Sequence, residues 1–478
     1  MRVSQVKRAH RTPSGAAVAL GVAAAVLCAR AGAARADGGI PGSLSILLPQ
    51  DKPQEIGLAT TFGLILSSDG GATWTWTCEQ AATTSMANIY TIGAPPLASG
   101  GLGDRFYALS PIEGLAYSDD QSCNWTSAGG ALAGQAVSDF FPDPTNPARV
   151  LAAAAPAGDG GAAGTPAVYL SMDGGVTFGA TPLFTAPAGS ALVGIEVARS
   201  DPSVIYLAYA LTTAGGYDSV LVRSSNNGQT WSAPIDLVAP LGAALVRILA
   251  VDRADANRVY LRASTTSADV VAVTPDGGVS FVTPITLPNG SVTAFARLAS
   301  GSVLVGATTN EPGGATVGSG YRSTDGGMTF GSWSFDANHL LSPDPPHVVG
   351  LAERTESGKP ILYLSGKNYS DGWALATSTD EGQTLTAVMS YDQVSRIAPC
   401  VQQICADTCG FEEMQGIWTP EVCAGATPDG GTTPASGGGC HCAVTDDRTP
   451  AGAAWAVALA CALLVIVRRA RGRDARRG

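Results

Sequence analysis

Several kinds of chemistry are nearly missing from this chain. Histidine occurs four times, and beyond residue 36 only His339, His347 and His441 remain. They form no metal constellation, and no Gly-x-Ser-x-Gly, His-Glu-x-x-His or phosphate-loop motif occurs. Aromatic residues make up only 6 % of the chain. Positive charge is scarce as well. The formal net charge of −11 conceals an imbalance, because residues 37–467 hold 16 Lys/Arg against 38 Asp/Glu, a net of −22. So acidic a body excludes nucleic acid and heparin-like partners. It suits solubility, or the binding of cations or neutral glycans. What abounds is small residues, with 59 glycines, which suits thin, closely packed strands.

One octamer, Ser-x-Asp-x-Gly-x-Thr-Trp, returns seven times at intervals of 49 to 55 residues. The best copies are Ser67 to Trp74, Ser171 to Phe178 and Ser323 to Phe330, with acids at Asp69, Asp173 and Asp325. Weaker copies centre on Asp120, Asn226, Asp276 and Asp380. A period of this length means stacked or radially arranged units, none able to bury its apolar face alone. Alternating runs such as Phe62 to Leu66 lead into the octamers and others such as Trp74 to Thr77 follow. Each octamer therefore reads as a hairpin turn. The Asp or Asn accepts hydrogen bonds from backbone N–H groups two or three residues on, and Gly supplies positive φ. A calcium loop would need oxygens at alternate positions and a late bidentate Glu, which no copy has. The seven acids and amides are thus expected to be structural, with no cofactor. Asp143 to Val150, Asp201 to Tyr206 and Asp252 to Tyr260 form a second, looser repeat, expected to turn between the first two strands of each unit.

The octamer resembles the Asp-box, or BNR repeat, of sialidases, sortilin-type receptors, some xyloglucan-cleaving glycosidases and photosystem assembly factors. The resemblance covers about residues 43 to 398. It implies an all-β fold, a seven-bladed β-propeller of four-stranded antiparallel blades, with the box as a turn at the blade periphery. A sialidase reading lacks its early Arg-Ile-Pro motif, and Arg396-Ile397-Ala398-Pro399 is a near match at the wrong end.

The two ends suggest an address. Residues 1–36 read as a signal peptide: basic Arg2, Lys7, Arg8 and Arg11, an apolar stretch, then Ala34-Arg35-Ala36 with cleavage after Ala36. Residues 37–398 are the repeat domain, 399–424 a Cys-rich disulfide module, and 425–442 a Gly/Pro/Thr linker ending in Cys440 and Cys442. Residues 443–478 hold an uncharged stretch, Ala451 to Val467, and an arginine cluster, expected as a hydrophobic helix and a cytoplasmic tail. This order resembles the MYXO-CTERM sorting tail, which implies removal of the helix and lipid attachment near Cys440 or Cys442. The chain is thus expected at the outer membrane or cell surface, a monomer held to the membrane through its tail.

Export makes disulfides the default. Cys78 and Cys123 lie beside the first two boxes, where they would staple neighbouring blades. Cys400, Cys405, Cys409 and Cys423 are expected to form two disulfides among themselves, of undecided pairing. A zinc site is the rival reading, but there is no CxxC and no histidine among them.

Glycoside hydrolysis needs two carboxyl groups facing across a cleft. Asp104, Asp139, Glu196, Asp218, Glu311 and Glu353 all qualify, and nothing local separates them from solvated turn acids. The sequence therefore favours a non-catalytic binding or scaffold module for a protein or glycan ligand. The alternative is a surface-tethered glycoside hydrolase using carboxylates around the channel.

Overall fold

The computed structural model describes residues 41–49, 52–83, 89–93, 104–110, 112–156, 165–311, 315–335 and 345–424. Ala36, Cys440, Cys442 and the apolar stretch before the terminal arginines lie outside these. Among the described residues no helix is long and apolar enough to cross a membrane.

The chain is all-β, folded into antiparallel sheets whose strands follow sequence order. The sheets begin in turn with innermost strands Ser43–Leu47, Ile89–Gly93, Gln135–Pro142, Ser190–Val197, Leu245–Val251, Gly290–Arg297 and Gly350–Glu356. Each is followed by three more strands, so every sheet is a meander of local hairpins. Consecutive sheets touch one another, and Gly350–Glu356 packs on Ser43–Leu47, which returns the series to its start. This is the arrangement of a β-propeller, with the first strands around a central channel.

The sequence pattern explains the layering. Second strands such as Ile56–Thr60, Arg105–Ser110 and Val150–Pro156 are buried on both faces between neighbouring sheets. They therefore read as nearly continuous runs of apolar and small residues, broken in the second sheet only by Arg105 at the strand's start. Innermost strands are only half-buried, because one face looks into the channel.

Each octamer joins the third and fourth strands of its sheet, and its bonding repeats. In the first copy Ser67 Oγ accepts from Gly71 N (2.9 Å) and donates to Asp69 Oδ1 (2.8 Å). Asp69 accepts Thr73 N at 2.9 Å and Thr73 Oγ1 at 2.6 Å. A backbone donor four residues on closes each turn, and in two copies the expected donor three residues on joins it, Val279 N to Asp276 and Met328 N to Asp325, each at 3.0 Å. The bond from four residues on reaches Asp120 from Asn124, Asp173 from Thr177, Asn226 from Thr230, Asp276 from Ser280, Asp325 from Thr329 and Asp380 from Thr384. Gly70 and Gly71 adopt φ of 76° and 93°, and Gln121 and Ser122 take the same left-handed geometry in the second copy. The box also holds blades together. Tyr107 Oη donates to Gly174 O of the next sheet's box (2.7 Å), and Trp333 Nε1 donates to Glu381 O (3.0 Å).

The first sheet differs from the rest. Val394–Ile397 adds to it as a fifth strand, parallel to Trp74–Thr77. Beyond it the segment to residue 424 lies over this sheet. Trp418 packs on Trp76 (4.7 Å between centroids) and Phe62 (5.8 Å), and Val401 and Val422 join the same core. The cysteines are consequently paired differently from the expectation. Cys78 bonds Cys405, Cys123 bonds Cys400, and only Cys409–Cys423 lies within the segment. The helix Gln402–Met414 brings Cys405 to Cys78, and the short turn Pro399–Val401 before it brings Cys400 to Cys123. That helix is not apolar, unlike the terminal helix expected from the sequence. On the other side of the seam, Arg354 is fully buried and donates to the carbonyls of Pro49, Lys52, Pro53 and Glu55. The last and first sheets are thus joined by the hydrogen bonds of Arg354, and the segment after the last sheet is tied to the first sheet by a strand and Cys78–Cys405 and to the second sheet's box by Cys123–Cys400.

Candidate active site

The innermost strands set the channel chemistry. Gln135–Pro142, Ser190–Val197 and Gly290–Arg297 each carry a bulge at the same register, after Val137, Leu192 and Val292. A bulge re-aims the side chain that follows it. Three equivalent positions follow: Asp139, Gly194 and Ala294. Two of the three are small, and Asp139 alone brings a carboxyl. Its oxygens are fixed by Phe140 N and, from the next sheet, Ile195 N, each at 2.9 Å. Immediately after Ile195 comes Glu196, whose carboxyl feels the charge of Asp139 from the neighbouring sheet.

Their surroundings disfavour charge. Burial raises Asp139 to about 6, against the pull of its two backbone donors and of Arg247. Burial also holds Glu196 well above the usual carboxylate range, reinforced by Asp139 and opposed by Arg199. Asp139 is the one solvated by backbone N–H groups, so it ionises more readily than Glu196. Glu196 lines a cavity of about 530 Å³ with Tyr90, Phe141, Arg199, Arg253 and Arg297.

The other candidate acids are elsewhere or engaged. Asp104 is ion-paired with Lys52. Asp218 is exposed on an outer strand, and Glu311 lines a separate polar hollow with Asn289 and Asn310. Glu353 pairs with Arg253 at 3.2 Å and accepts Ala299 N. Among the described residues no group of three potential metal ligands occurs. His347 has both ring nitrogens engaged, by Asp371 Oδ1 at 2.9 Å and Thr316 O at 3.0 Å. No nitrogen is left to activate a serine, which removes a Ser-His-Asp triad on this histidine.

No protein-family model and no curated protein matches the chain. Solved structures do. A GH74 xyloglucanase from Xanthomonas campestris is 20 % identical at TM-score 0.42, over 59 % of this chain and 43 % of its own. A puromycin-hydrolyzing peptidase from Mycobacterium tuberculosis is 12 % identical at TM-score 0.47, over 75 % and 55 %. A Trypanosoma rangeli sialidase is 13 % identical at TM-score 0.32, over 51 % and 45 %. The chain spans less than half the length of that xyloglucanase. The expectation of a non-catalytic module is corrected here: the similar structures include glycoside hydrolases, a xyloglucanase and a sialidase. Identities this low bear on the fold, so the activity has to be argued from the channel.

Proposed function

We propose that this chain is a seven-bladed Asp-box β-propeller that acts as a glycoside hydrolase at its channel, with Glu196 as general acid and Asp139 as its ionised partner. One observation carries the reading: Glu196, a buried carboxyl raised in part by Asp139 of the adjacent sheet, lines a cavity, and Asp139 is itself raised by burial. Environments that push two carboxyls apart in pKa separate acid from base. Glu196 gives its proton to the glycosidic oxygen as the C–O bond breaks. Asp139 supplies the negative charge opposite the developing oxocarbenium ion, and water completes the cleavage. The box residues Asp69, Asp120, Asp173, Asn226, Asp276, Asp325 and Asp380 are turn closers outside the chemistry. Export through residues 1–36 and surface attachment through Cys440 or Cys442 belong to the same proposal, and place the cavity before extracellular polysaccharide.

The test is reducing-end release from a panel of polysaccharides. Glu196→Gln and Asp139→Asn, each shown folded by a cooperative melt, are expected to fall at least about 100-fold. A folded Glu196→Gln that hydrolyses at the wild-type rate sinks the assignment.

A further inference from the structure

His347 is a buried histidine that the channel chemistry leaves unused. It stands just before the innermost strand Gly350–Glu356, on a linker laid tightly over the sixth sheet. A Cβ on Gly318 would lie 2.4 Å from the carbonyl oxygen of Pro346 and 2.6 Å from that of Pro345, and one on Gly306 would lie 2.7 Å from that of Val348. The linker therefore follows the sixth sheet at glycines that leave it room. Its tie to the seventh sheet is His347. Asp371 ends the short helix Asn368–Asp371, between that sheet's second and third strands. The carboxylate accepts His347 N at 3.2 Å and Lys367 N at 2.8 Å, and meets the ring at Nδ1, at 2.9 Å. On the other side Nε2 lies 3.0 Å from Thr316 O, on the third strand of the sixth sheet, Thr316–Ser323.

Both partners of the ring are acceptors. A neutral imidazole carries one N–H, so in either tautomer one ring nitrogen turns a lone pair toward an oxygen. The imidazolium donates from both nitrogens and satisfies both sheets at once. Among the described residues, the charged groups facing the ring are Asp371 and Lys367, both of the seventh sheet. The sixth sheet presents Thr316, which does not titrate and whose hydroxyl accepts from Lys367 Nζ at 3.2 Å. The bond to Asp371 outweighs burial and the repulsion of Lys367, and holds the imidazole above its ordinary value of 6.5.

We propose that His347 is a pH-sensitive clamp across the seam of the sixth and seventh sheets, closed while its ring is protonated and released when the ring loses that proton. With the folded-state value raised, the clamp's contribution is complete below pH 6.5 and is lost as pH rises through the folded value. On release the linker opens locally while the rest of the propeller stays folded. The clamp does not depend on the hydrolase reading.

The experiment is an NMR titration of the full chain labelled at its four histidine rings. His347 is assigned by replacing His10, His339 and His441 in turn with Gln. Hydrogen exchange of residues 345–349 and 367–371 is followed in parallel and corrected for the intrinsic effect of pH. The His347 ring is expected to titrate above 6.5. The corrected protection should fall at least about threefold between about pH 6 and about pH 9. In His347→Gln that fall should vanish, and in Asp371→Asn the His347 midpoint should drop. A wild-type midpoint at or below 6.5, or protection that stays constant across it, would overturn the clamp whether or not the variants fold. So would a folded His347→Gln with the same fall in protection, or a folded Asp371→Asn with the midpoint unmoved.

Discussion

The two disulfides that tie the C-terminal segment to the first two sheets are nested, and this makes their loss non-additive in a calculable way. Cys78–Cys405 spans 327 residues and Cys123–Cys400 spans 277. With one in place, the other closes a loop of only about 50 residues, because the unfolded chain takes the short path through the first bridge. On the chain-entropy relation such a loop contributes about 4 kcal/mol, whereas a loop of about 300 residues contributes nearly 6 kcal/mol. Removing either bridge alone should thus cost about 4 kcal/mol, and removing both about 10 kcal/mol, as upper values. The variants are Cys78→Ala with Cys405→Ala, Cys123→Ser with Cys400→Ser, and all four together. Guanidinium unfolding at constant slope gives the three losses. The quadruple variant should lose more than the sum of the two pairs. A loss equal to or below that sum would refute the nested-loop account, and place the bridges' contribution in native packing around Trp418.

Further expectations follow from single groups. Hydrogen bonds from the hydroxyls four residues on hold Asp69, Asp276 and Asp325 below their ordinary pKa, Asp69 at about 2. A lowered pKa stabilises above the unfolded value and is lost as pH falls through the folded one. Stability should therefore drop between about pH 4 and pH 2; a chemical-denaturation midpoint flat over that window contradicts the box bonding. Asp139 is raised to about 6, so it favours the fold below pH 4 and costs stability as pH rises through 6. Asp139→Asn should then gain up to about 3 kcal/mol at pH 7 and nothing at pH 4, measured by denaturation at the two values. Arg354→Met leaves the carbonyls of Pro49, Lys52, Pro53 and Glu55 without their donor. A loss of about 3–5 kcal/mol is expected, and a melt within a degree of wild type would show the seam does not depend on it.

What was legible in the sequence was what repeats. The octamers are local, so their turn chemistry shows in eight consecutive residues, and even the departures Gln121, Asn227 and Glu381 keep the left-handed backbone that glycine marks elsewhere. The closure was not legible. Val394–Ile397 is four residues long and pairs with a strand some 320 residues earlier, and nothing in the cysteine spacing announces Cys78–Cys405. The acids divide in the same way. Asp139 and Glu196 were two among six because each sits in an ordinary strand. Aligning the innermost strands by their bulges would have set Asp139 against Gly194 and Ala294, a carboxyl where the equivalent positions carry small residues.

The most direct measurement is the pH dependence of kcat/KM for cleavage of the polysaccharide that the panel identifies, in wild type and Asp139→Asn. A bell is expected, rising as Asp139 ionises near pH 6 and falling as Glu196 loses its proton, with the acid limb gone from the residual activity of Asp139→Asn. Activity that shows no limb near pH 6, or a limb that survives in Asp139→Asn, would contradict catalysis by the channel pair.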